Sequence, residues 1–216
     1  MEKEKIIGKL KNEGIVAVVR AESMERGEKT IEAIISGGIH FIEVTMTVPG
    51  AVDIIQALAR KYKDKDIVIG AGTVLDPETA RAVILAGAKY VVSPALNSET
   101  VKLCNRYRVP VMPGVMTVKE AIEALELGCD VIKVFPGNLF GPSIIRSFKG
   151  PLPQGIFMPT GGVEVDNAAD WLNAGAVAVG TGSNLTVGAK TGDYEAVTRK
   201  AEEFVSAVDK VKRGKT

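Results

Sequence analysis

The chain has 216 residues, enough to bury a substantial core as one domain, and 46% hydrophobic against 25% charged residues is ordinary globular usage. Its 27 Lys and Arg nearly balance 26 Asp and Glu, which removes any global attraction to nucleic acid or an anionic membrane, so an anion site must be local. A single histidine, His40, and two cysteines without ligand or redox-pair spacing, Cys104 and Cys129, argue against a disulfide framework and against a metal-dependent mechanism.

The opening MEKEKIIGKLKNEG is charged and lacks the apolar stretch of a signal peptide, and nothing later reaches membrane-spanning length, so a cytoplasmic location is expected. The pattern predicts a leading helix over 2–11 that caps the bottom of the fold. Short β-branched runs then begin at Ile15, Phe41, Ile67, Tyr90, Val109, Val131, Ile156 and Val177, and they read as strands buried on both faces. Between them, apolar residues at three- and four-residue steps predict helices over 24–36, 51–62, 77–86, 98–107, 118–127, 167–173 and 194–211.

Four helix-to-strand junctions carry a glycine, Gly38, Gly87, Gly128 and Gly175, roughly 40–50 residues apart, where the left-handed conformation closes a helix. This quasi-repetition, with no low-complexity linker, argues for one domain over 1–216. About eight strands alternating with helices suit an α/β fold, a single (β/α)₈ TIM barrel with an extra N-terminal helix, better than an open doubly wound sheet. The basic tail KVKRGKT reads as a solvated end.

In such a barrel the chemistry sits at the carboxyl ends of the strands. Lys133 interrupts DVIKVFP and shares a face with Val131 and Phe135, either into the barrel or onto the helices. Burial disfavours an ammonium and so raises the fraction of amine able to attack a carbonyl; a lysine snorkelling from a strand end explains the position equally well. Glu43 inside FIEVT is a carboxylate in an apolar strand, which alone fits a buried salt bridge; together the two suggest a nucleophile with a proton shuttle.

Arg20 ends GIVAVVR and offers a fixed cationic fork to a carboxylate or phosphate, unless Glu22 pairs with it. Thr73 in GAGT supplies a hydroxyl or simply a tight turn, and Pro94 and Phe135 either wall a pocket or stiffen the core. Thr160, Gly161 and Gly162 in PTGG, with Gly180, Gly182 and Ser183 in VGTGS, form paired glycine-rich turns after the last two strands. Exposed backbone N–H groups and a following helix terminus make such turns a phosphate cradle. His40 falls at a strand entrance, the wrong end for catalysis, and Trp171 reads as outer-layer packing.

FIEVT with Glu43, GAGT with Thr73, VSP with Pro94, MPGVMT from Met112, IKVFPG with Lys133 and PTGGV with Thr160 come in an order and spacing that resembles one family along essentially the whole chain. It is similar to the 2-keto-3-deoxy-6-phosphogluconate aldolases, often bifunctional as 4-hydroxy-2-oxoglutarate aldolases. The resemblance implies a cofactor-free and metal-free class I aldolase, working as a homotrimer on a phosphorylated 2-keto acid and releasing pyruvate. It implies that Lys133 forms the Schiff base, that Glu43 shuttles protons, that Thr73 helps hold the keto-acid carboxylate, and that Phe135 and Pro94 line that pocket. Many members carry an arginine where EVTMT here places Thr47, so Arg20 is the expected replacement as carboxylate ligand. The phosphogalactonate epimer as substrate is the alternative within this chemistry; a phosphosugar isomerase or a silent phosphate-binding barrel is the alternative outside it.

Overall fold

The structure, a computed structural model, describes residues 2–214. Helix α1 (Glu2–Glu13) leads into strands β1 (Ile15–Val19), β2 (Phe41–Thr45), β3 (Val68–Gly72), β4 (Val91–Val92), β5 (Val111–Met112), β6 (Gly114–Val115), β7 (Ile132–Val134), β8 (Phe157–Pro159) and β9 (Val179–Thr181). Helices α2 (Met24–Ser36), α3 (Ala51–Lys61), α4 (Pro77–Ala86), α5 (Ser98–Arg106), α6 (Val118–Glu126), α7 (Ser143–Lys149), α8 (Ala168–Asn173) and α9 (Tyr194–Arg213) return between them.

All strand pairs are parallel, in the order β5-β4-β3-β2-β1-β9 and β6-β7-β8. Two features turn these pieces into a TIM barrel. β5 and β6 are one strand interrupted at Pro113, which has no N–H for the ladder. On the other side a single bridge, Thr160 to Gly180, joins the end of β8 to β9.

Alternation along the strands sorts the core into two clusters. Val16, Phe41, Val68, Tyr90, Val92, Met112, Val131, Met158 and Ala178 fill the barrel interior together with Ile6, Ile7 and Leu10 of α1, which closes the bottom as the sequence predicts. Their neighbours Ala17, Ile42, Ile69, Ile132 and Val179 face outward onto the helices, in the larger cluster that also holds Cys104, Cys129 and Trp171.

The junction glycines behave as expected: Gly38, Gly87, Gly128 and Gly175 all take positive φ between 79° and 107°. Asp76 and Asn97 cap α4 and α5 by accepting from the third helical N–H, and Thr117 with Glu120 forms a reciprocal capping box on α6. Two expectations need correction. α7, seven residues between Pro142 and Gly150, went unpredicted because it is too short to show periodicity. The basic tail is not simply solvated: α9 runs on to Arg213, and Lys212 Nζ donates to the carbonyls of Lys11 and Val177, tying α9 to the barrel bottom. The last two residues of that tail lie outside the described residues.

Candidate active site

Above the apolar plug the interior changes character. Two residues beyond Phe41 on β2 stands Glu43, two beyond Val131 on β7 stands Lys133, and just past Met158 comes Thr160. Lys133 and Glu43 are only 4% and 1% exposed, and Lys133 Nζ lies 4.0 Å from Glu43 Oε1. That separation is too long for a hydrogen bond and leaves the two groups facing one space, where a carbonyl carbon at the amine would also meet the carboxylate. Phe135 stands beside the amine, its ring centre 4.9 Å from Nζ.

Glycines on neighbouring strands make the room these polar groups need. A Cβ on Gly72 would lie 2.5 Å from Glu43 Cδ and nearer still to Oε1, and one on Gly180 would overlap the Thr160 hydroxyl. Gly114, the register partner of Lys133, lies against the Pro94 carbonyl, which places Pro94 one strand away from the amine. Among the described residues, Glu43 Oε2 and Thr160 Oγ1 are buried without a hydrogen-bond partner, polar capacity facing the interior rather than spent on the fold.

The other predicted residues ring the mouth. Thr73 is half-buried with φ 57°, a left-handed conformation uncommon for a non-glycine residue, immediately after β3. Gly161 and Gly162 also take positive φ, at 93° and 71°, and pack against Asn138 in the turn Gly137–Leu139, while Gly137 N–H donates to the Thr160 carbonyl at 2.8 Å. Sequence reasoning passed over Asn138, whose only signal was its place just after IKVFPG.

A cavity of about 370 Å³ opens beside this centre, lined among others by Arg20, Thr47, Ser183, Arg26 and Lys190. Arg20 leans over Gly182, with Nη1 3.2 Å from where a Cβ would sit. Glu22 is taken by Arg26 at 3.3 Å, and no ion pair or hydrogen bond engages Arg20 among the described residues, so its guanidinium is free for an anion. Thr47 shares a 2.8 Å hydrogen bond with Thr45, which donates to the Val19 carbonyl at 3.0 Å.

Gly180 lies within β9, in the ladder beside Val16, rather than in the turn that follows, and the glycine turns differ from expectation in one further respect. Neither runs directly into a helix: α8 starts at Ala168 with only six residues, and Ser183 is followed by turns and a short 3-10 segment before α9 begins at Tyr194. An anion there would rest on turn N–H groups and side chains, without a full helix terminus.

At the opposite end of the barrel, His40 Nδ1 sits 3.3 Å from Glu13, and Glu13, His40 and Asp66 form the one group among the described residues that could hold a cation. Lys9 already places its ammonium there, 3.3 Å from Glu13 and paired with Asp66. Cys104 and Cys129 are buried free thiols, both pushed by desolvation up to about 12. No helix among the described residues is long and apolar enough to cross a membrane.

Comparison with known proteins bears on the family and the fold. A family model described as KDPG and KHG aldolase matches residues 6–200. The chain is 34% identical over 194 residues to the 2-dehydro-3-deoxy-6-phosphogalactonate aldolase of Escherichia coli K12, covering 89% of this chain and 93% of that one. It is 32% identical over 194 residues to the KHG/KDPG aldolase of the same organism, covering 88% and 90%. Among solved structures it resembles the KDPG aldolase of Legionella pneumophila with pyruvate captured at low pH as a covalent carbinolamine, at TM-score 0.82 and 30% identity over 90% of this chain and 96% of that one.

Proposed function

Because the chain belongs to the KDPG and KHG aldolase family, we propose that it cleaves 2-keto-3-deoxy-6-phosphogluconate to pyruvate and glyceraldehyde 3-phosphate through a Schiff base on Lys133. The observation that carries this reading is the enclosed Lys133–Glu43 pair, 4.0 Å apart at the mouth end of a TIM barrel.

Neutral Lys133 attacks C2 of the keto acid, and loss of water leaves an iminium that draws electrons from the C3–C4 bond. Glu43, through a water, takes the C4 hydroxyl proton as that bond breaks and the aldehyde leaves. The resulting enamine is protonated at C3 by the same carboxyl group, and hydrolysis frees pyruvate and the amine. Arg20 and Thr73 hold the keto-acid carboxylate, Phe135 and Pro94 wall it, and the turn of Thr160, Gly161 and Gly162 takes the distal phosphate together with Gly182 and Ser183, which follow the strand that carries Gly180. No metal or cofactor enters any step.

Sodium borohydride with pyruvate should modify Lys133 irreversibly, mapped by peptide mass; a peptide map without that adduct overturns the proposal. A retro-aldol assay across 2-keto-3-deoxy-6-phosphogluconate, its galactonate epimer and 4-hydroxy-2-oxoglutarate tests the aldehyde half, with the highest kcat/KM expected on the gluconate. The working assembly is a homotrimer, checked by light scattering.

A further inference from the structure

Strand β3 carries two interior glycines, Gly70 and Gly72, in the run VIGAG. Their shared function is clearance for two side chains from different strands. The Tyr90 ring occupies the space above Gly70: a Cβ there would lie 2.5 Å from Tyr90 Cδ1 and closer still to Cε1 and Cζ. The Glu43 carboxylate occupies the corresponding space above Gly72. Gly70 is itself the register partner of Glu43, so the ring that covers it extends from β4 across β3 toward the strand that carries the carboxylate, close enough for the two groups to interact electrostatically. Buried polar groups that face each other without a direct bond are commonly joined by a water.

Both groups are unsatisfied. Tyr90 is fully buried and its hydroxyl has no partner among the described residues, and the same holds for Glu43 Oε2. A buried polar atom left without a partner is disfavoured, and a water with two such partners removes both deficits at once. Phe41, whose ring centre is 5.7 Å from that of Tyr90, holds the phenol in place from below.

We propose that Tyr90 is a positioning residue for Glu43: its hydroxyl donates through one buried water to the free carboxylate oxygen, fixing the orientation in which Glu43 receives the substrate proton. The proposal rests on the reading of Glu43 as the proton shuttle. Burial pushes the Tyr90 phenol well above its ordinary range, and the Glu43 and Glu13 carboxylates push it further, so it remains a neutral donor across the working pH. The other charged groups facing this space are Lys133 from β7 and, below, Glu13 from α1. The flanking strands place Val18 and Gly70 opposite Glu43, neither of which titrates.

The test compares pH profiles of kcat for retro-aldol cleavage in the full chain, Tyr90→Phe and Glu43→Gln. A donor to a carboxylate favours its ionised form, so its loss in Tyr90→Phe should move the acidic limb up by about one pH unit. The pyruvate–borohydride adduct on Lys133 should form as before, and thermal melting confirms that the isosteric variant is folded. A Tyr90→Phe profile that superposes on that of the parent, while Glu43→Gln abolishes the limb, overturns the role of Tyr90. A limb that survives in Glu43→Gln overturns the proton-shuttle reading itself, and the inference with it.

Discussion

Gly72→Ala isolates the Glu43 carboxylate without touching it chemically. Gly72 is absent from the positive-φ glycines, so alanine fits the backbone there, and the added methyl meets Glu43 Cδ and Cγ at 2.5 Å. Carbon atoms pack at about 3.5–4.0 Å, so the carboxylate must retreat by about 1 Å or more, away from β3. Misplacement on that scale costs about a hundredfold in rate, equivalent to ~2.7 kcal/mol of transition-state stabilisation. The assay is steady-state retro-aldol turnover, with pyruvate–borohydride trapping as the control that Lys133 still forms its adduct. Adding Glu43→Asp, one methylene shorter, should relieve the clash, so the double variant should lose less than the two single losses combined. A Gly72→Ala enzyme within twofold of the parent would refute the reasoning, since the carboxylate would then have moved without consequence.

Arg20→Ala should lower kcat/KM by an amount equivalent to about 2–4 kcal/mol if the guanidinium holds the pyruvyl carboxylate; an unchanged value, with unchanged affinity for pyruvate, removes Arg20 from the site. Cys104 and Cys129, with thiols pushed up to about 12, should resist iodoacetamide at pH 8 in the folded protein and react on unfolding, read by intact mass. Because folding raises both from 9.0, their contribution to stability is intact below about pH 9 and is lost as pH climbs toward 12, which alkaline denaturation of Cys104→Ala and Cys129→Ala variants would register as a shallower slope.

Regular helices were legible because their signals are local. The bounds of α2 and α4 match the predicted 24–36 and 77–86, where a capping side chain precedes a clean apolar stripe. α7 was not legible, being two turns long, and neither was the break at Pro113, which divides one apparent strand into β5 and β6. In the site, Lys133 and Glu43 announced themselves as charges in apolar strands, but their facing could not be read from alternation alone. The company of Val131 and Met158 in the interior, with the 4.0 Å approach to Glu43, shows that Lys133 points inward. The glycines divide in the same way. Gly161 and Gly162 were readable as turn residues, whereas Gly72 and Gly180 are spaces for Glu43 and Thr160, and a space becomes visible only when the neighbouring strand is in place.

The pairing of β1 with β9 gives the ring a late final partner. Ile15, Val16 and Ala17 take their register from Val179, Gly180 and Thr181, near the other end of the chain. β2 follows β1 closely in sequence, whereas the partner of the other edge of IVAVV, residues 179–181, lies more than 150 residues further on. An open, apolar edge invites pairing with other chains, so a partly folded species in which β9 has not docked exposes an aggregation-prone edge, and the rate at which β9 docks sets how long it lasts.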